Sequence, residues 1–80
     1  MKVKIVYSDD CPHCVELLNK LEKQNGIPNM EIEFVEIDSE AGANIIKNNS
    51  IHSIPVIISE NNISCKVEYF GDKVDIICPD

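Results

Sequence analysis

Residues 2–7, Lys2-Val3-Lys4-Ile5-Val6-Tyr7, alternate polar and apolar positions, which predicts a half-buried strand. Ser8-Asp9-Asp10 is a polar turn, after which the period changes. Val15, Leu18 and Leu21 form an apolar stripe at helical spacing, with Leu17 beside it. Pro12 suits the first helical position, where its missing N–H would have no intrahelical partner. The helix is expected to run to about Asn25, with Gly26 as its stop and Pro28 just beyond. Residues 31–37 read as a second strand near a sheet edge. Asp38 and Ser39 are candidate caps for a short helix over 40–48, whose apolar face is small: Ala41, Ala43, Ile45 and Ile46. A third strand begins at Ile54-Pro55 and runs to Ser59, with proline at a permitted strand-start position. Asn61-Asn62 signals a turn into a fourth strand, where Ile63, Cys65, Val67 and Tyr69 share one face, so strands three and four form an antiparallel hairpin. Residues 72–78 fit two patterns. Val74, Ile77 and Cys78 would share a face of a short helix capped by Asp72, which is the expectation adopted. Val74, Ile76 and Cys78 would alternate as a strand after a Gly71-Asp72 hairpin turn.

The order βαβ, ββ and a short helix implies an α/β fold: one domain over residues 1–80, with a four-stranded mixed sheet and helices packed on it. Eighty residues allow only a thin core. With 44% hydrophobic and 26% charged residues, the composition is that of a globular chain. Seven lysines, no arginine and fourteen acids leave a net charge of −7, which argues against a nucleic-acid partner. No apolar stretch approaches membrane length, so no membrane partner is expected. Residues 1–7 alternate rather than forming a leader's apolar core, so no leader is expected. The expected compartment is the reducing cytoplasm, where four cysteines point to catalysis, metal binding or burial rather than a disulfide framework.

The chemistry concentrates in Cys11-Pro12-His13-Cys14. A C-x-x-C between a strand and a helix is the pattern of a redox dithiol. Cys11 would lie at the helix N-terminus, where unpaired N–H groups and the positive dipole end favour a thiolate, the nucleophile of disulfide exchange. Cys14, one turn on, would resolve the mixed disulfide. A cationic His13 would stabilise the thiolate, and Asp9 and Asp10 would oppose it. A structural zinc site normally needs four ligands. Cys65 and Cys78 are far from the dithiol and from each other in sequence, so no metal ligand set is expected. These two are expected to be small buried or half-buried thiols, a second disulfide or a regulatory thiol being the alternative. His52 is expected to be an exposed loop residue that can touch substrate, and Tyr7 and Tyr69 to be core or surface-strand residues.

The dithiol after strand one, together with Ile51-His52-Ser53-Ile54-Pro55 before strand three, resembles the thioredoxin/glutaredoxin superfamily, most of all its small glutaredoxin-sized members. The resemblance covers nearly the whole chain. It implies a thioredoxin-like fold, a cis Ile54-Pro55 bond facing the dithiol, and a substrate-binding role for Ser53, Ile54 and Pro55, with Ile54 offering backbone groups to a bound peptide or glutathione. It implies a thiol–disulfide oxidoreductase with Cys11 and Cys14 as catalytic residues, supported by Pro12 and His13. Such a protein needs no bound cofactor. It acts as a monomer on disulfide-containing substrates and is restored by an external reductant, either glutathione (or another small thiol) or a flavoprotein reductase. The chain departs from the family pattern in places. Asp10 stands where thioredoxins carry tryptophan, Ile5 replaces their buried acid, and Phe70-Gly71-Asp72-Lys73 replaces the glutaredoxin Gly-Gly and acidic pair. A glutathione-dependent glutaredoxin and a non-catalytic metal-binding or adaptor module on the same fold are the rival readings.

Overall fold

A computed structural model describes residues 1–79. The elements are β1 (Lys2–Tyr7), α1 (Pro12–Lys23), β2 (Glu31–Glu36), α2 (Glu40–Asn49), β3 (Val56–Ser59), β4 (Ser64–Phe70) and β5 (Lys73–Ile77). They build an α/β structure with one five-stranded mixed sheet in the order β2-β1-β3-β4-β5. β1 lies parallel to β2, joined through α1, and antiparallel to β3. β3–β4 and β4–β5 are antiparallel neighbours. β2 is an edge strand, as its charged alternation suggests. No helix among the described residues is long and apolar enough to cross a membrane.

The sheet has five strands rather than the expected four, because residues 73–77 are a strand and not a helix. A two-turn helix rich in β-branched residues is marginal on its own. The same residues pair along β4, from Phe70 opposite Lys73 to Lys66 opposite Ile77. Gly71 makes the turn. Its φ of +62° precedes an Asp72 with no positive φ, which is the pattern of a two-residue hairpin loop with glycine at its first central position.

Register decides which side chains are buried. Val3 and Ile5 on β1, Ile57 on β3, and Val74 and Ile76 on β5 form one core with Leu17 and Leu21 of α1. The buried face of α1 is Cys14, Leu17 and Leu21, with Leu18 half-buried, and Val15 points outward at 41% exposure. The buried stripe keeps Leu21 and takes Leu17 and Cys14 in place of Leu18 and Val15. Val6, Val35 and Ile58 are buried on the opposite sheet face, and Ile45 of α2 shares a hollow there with Ile58 and Lys4.

Two contacts fix the periphery. Ser39 caps α2, its Oγ accepting from the Gly42 N–H at 3.0 Å. Gly42 is buried against the end of β2. An added Cβ would collide with the Glu36 carbonyl oxygen and lie 3.1 Å from the Ile37 Cα. At the other sheet edge, the Gln24 amide accepts from the Val74 N–H at 2.9 Å and donates to the Val74 carbonyl at 2.8 Å. One side chain thus satisfies the outward backbone groups of Val74 as a neighbouring strand would.

Candidate active site

Ser8 organises the loop after β1. Its Oγ accepts from the Asp10 N–H and its carbonyl from the Cys11 N–H, each at 3.2 Å. The chain then enters α1 with Cys11 as the N-cap in extended conformation and Pro12 in the first turn. The first N–H groups of a helix have no internal partner. Here the Cys11 sulfur accepts from the Cys14 N–H at 3.2 Å, taking the role usually filled by a serine or aspartate oxygen. Position alone therefore gives negative charge on Cys11 a hydrogen bond and the favourable end of the helix dipole.

The two thiols sit in different environments. Both are free, Cys11 half-buried and Cys14 fully buried in the first turn of α1. Burial pushes the Cys14 thiol up to about 11, and its hydrogen bond with Cys11 adds to the rise. A backbone hydrogen bond from Ser8 acts the other way. Cys14 is thus held protonated at neutral pH behind the more accessible Cys11.

The loop before β3 closes over the dithiol. The Ile54-Pro55 bond is cis, and the Ile54 carbonyl oxygen lies 3.8 Å from the Cys11 sulfur. Ser53 and Pro55 line a groove of about 580 Å³ with the exposed His13 and His52. His13, Ser53 and Pro55 thus line one groove, Cys11 adjoins it through the Ile54 carbonyl, and Cys14 lies buried behind Cys11. Pro12 faces the other side of the α1 N-terminus, sharing a hollow with Asp9, Asp10 and Val15. A hollow of similar volume between α1 and β2 is lined by Leu18, Leu21, Glu22, Asn25, Gly26, Met30, Ile32 and Phe34, without a thiol or imidazole.

Sequence reading missed the far wall of the groove, which β4 supplies through Cys65, Val67 and Tyr69. Burial, and then the Glu16 carboxylate, raise the pKa of the Tyr69 phenol. The Lys20 ammonium lies 5.8 Å from the centre of the Tyr69 ring. Only the shared face of Cys65, Val67 and Tyr69 was visible in the sequence, and nothing local showed that this face meets the dithiol loop.

Cys65 and Cys78 are not free thiols; they form a disulfide. The reason is the fifth strand. With Lys66 opposite Ile77, the next pair in register is Cys65 opposite Cys78, and their Cα atoms lie 4.3 Å apart. A terminal helix would not have placed them so. Among the described residues, no group of three or more His, Cys, Asp or Glu side chains is placed to hold a metal ion. No family model, curated protein or solved structure matches the chain.

Proposed function

We propose that this protein is a thiol–disulfide oxidoreductase with a thioredoxin-like fold, working through Cys11 and Cys14. The observation that carries the reading is the asymmetry of the pair. An accessible sulfur caps the helix and takes the Cys14 N–H, while a buried, protonated thiol waits one turn behind it. The strand order β2-β1-β3-β4 and the cis Ile54-Pro55 bond beside Cys11 support the fold assignment. Here β5 extends the sheet beside β4, where the resemblance implies a terminal helix that is short or absent.

The Cys11 thiolate attacks one sulfur of a substrate disulfide. A bond forms between Cys11 Sγ and that sulfur, and the other substrate sulfur leaves and takes up a proton. Backbone at Ile54, whose carbonyl already faces Cys11, holds the bound chain in the groove. Cys14 then gives up its proton and attacks Cys11 Sγ, releasing the second substrate thiol. Two electrons and two protons have passed to the substrate, and Cys11 and Cys14 are joined. An external low-molecular-weight thiol or flavoprotein reductase returns the pair to the dithiol.

A redox titration in glutathione buffers, with the thiols trapped by a mass tag, tests this reading. Cys11 and Cys14 should lose their thiols together in one two-electron transition. Oxidation of Cys11 alone, ending as a stable glutathione adduct in the presence of an intact Cys14, would refute it.

A further inference from the structure

The Cys65–Cys78 disulfide takes no part in the exchange just described, yet Cys65 lines the same groove as His13 and Pro55. Cys65 lies opposite Ile57, two residues beyond Pro55, where the short β3–β4 pairing gives way to the β4–β5 pairing. Both cysteines are half-buried, and Cys65 opens onto the groove through which a small thiol can approach. The disulfide is the last tie on β5, because the strand pairing ends at Ile77 and Pro79 follows. The rest of the hairpin is held independently by the Gly71 turn, the buried Val74 and Ile76, and the Gln24 amide. Opening the disulfide therefore unties Cys78 and the Cys65 side chain at the groove wall, while the strand pairing from Lys66–Ile77 onward still holds the sheet together.

We propose that Cys65–Cys78 is a redox switch on the substrate groove. Closed, it fixes the β4 wall against which a peptide disulfide docks. Open, it releases Cys78 and the Cys65 side chain in the groove wall and slows docking, while the intrinsic reactivity of Cys11 is unchanged. The switch rests on the oxidoreductase reading above. Two molecules of a small thiol open it. The first thiolate attacks one sulfur, forms a mixed disulfide and expels the other sulfur, which takes the proton. The second thiol displaces the first as a small-molecule disulfide, leaving Cys65 and Cys78 as thiols.

The test has two arms. In the first, folded wild-type protein is equilibrated across glutathione buffers of graded potential, alkylated, and read cysteine by cysteine by peptide mass spectrometry, with hydrogen exchange following α1 and β1. Cys65 and Cys78 should become free thiols while α1 and β1 stay protected. A pair that remains closed throughout, or opens only as the chain unfolds, overturns the switch. In the second arm, Cys65→Ser/Cys78→Ser is compared with wild type closed at this pair, measuring Cys11 exchange with a peptide disulfide and Cys11 alkylation by iodoacetamide. A docked peptide must re-order the freed strand end, so exchange should slow about tenfold, equivalent to ~1.4 kcal/mol, with alkylation unchanged. Equal exchange rates overturn the proposal. If wild-type Cys11 exchanges with no peptide disulfide, the oxidoreductase reading itself fails and takes the switch with it, and the first arm still reports whether the second disulfide is exchangeable.

Discussion

Substituting Cys11 by serine isolates Cys14 and exposes what its burial does. Serine is a strong N-cap, so the first turn of α1 keeps its capping hydrogen bond and the fold is retained. Cys14 is fully buried, and its pKa of about 11 stands against an ordinary 9.0. At pH 7 that leaves roughly one Cys14 in ten thousand as thiolate, about a hundredfold fewer than an unburied thiol. Burial is the first cause of the rise and the Cys11 hydrogen bond the second, so losing the Cys11 sulfur should relax the shift without abolishing it. The assay is iodoacetamide labelling of Cys14 in folded Cys11→Ser from pH 7 to pH 11, read by mass spectrometry, with unfolded protein as the reference. Labelling in the folded state should trail the reference by at least tenfold at pH 7, and should climb about tenfold per pH unit beyond the point where the unfolded rate levels off. Folded and unfolded rates that coincide at pH 7 would refute the burial argument, and with it the division of labour between the two thiols.

The same shift makes stability pH-dependent. The unfolded thiol loses its proton near its ordinary pKa and the folded one near 11, so the Cys14 contribution is fully present below pH 9 and is lost between pH 9 and 11; urea unfolding across this range should show a steeper decline in wild type than in Cys14→Ala, where the raised Tyr69 phenol alone acts in the same direction. Gly42→Ala drives a Cβ into the Glu36 carbonyl and should cost about 1–3 kcal/mol by urea unfolding, whereas Ala43→Gly, one position on at an exposed site, should cost no more than about 1 kcal/mol. Gln24→Ala removes both side-chain hydrogen bonds to Val74 and should destabilise by about 2 kcal/mol, with β5 losing hydrogen-exchange protection before β1; uniform loss across the sheet would count against it.

Local patterns carried most of the fold. Alternation in residues 2–7 and 31–36, the Pro12 start and the Ser39 cap all act through near neighbours, and those elements stand close to where the sequence placed them. Residues 72–78 were ambiguous because Val74-Asp75-Ile76-Ile77-Cys78 satisfies both periods, and the choice fell to pairing with β4, a tertiary effect. The misread of Cys65 and Cys78 follows from that single ambiguity, since only the hairpin register brings them together. The dithiol and the Ile54-Pro55 loop were legible as short motifs. Tyr69 and Val67 were not, because their place in the groove depends on the curl of β4 across the sheet and leaves no mark in their own neighbourhood.

Cys14→Ser tests the central claim most directly. The variant keeps the half-buried Cys11 but has no resolving thiol, so incubation with a disulfide-containing protein such as insulin should accumulate a covalent adduct through Cys11. That adduct should dissolve on adding a thiol, and Cys11→Ser should form none. Adduct formation through Cys65 or Cys78 instead, or no adduct from Cys14→Ser while wild type reduces the same substrate, would contradict the account.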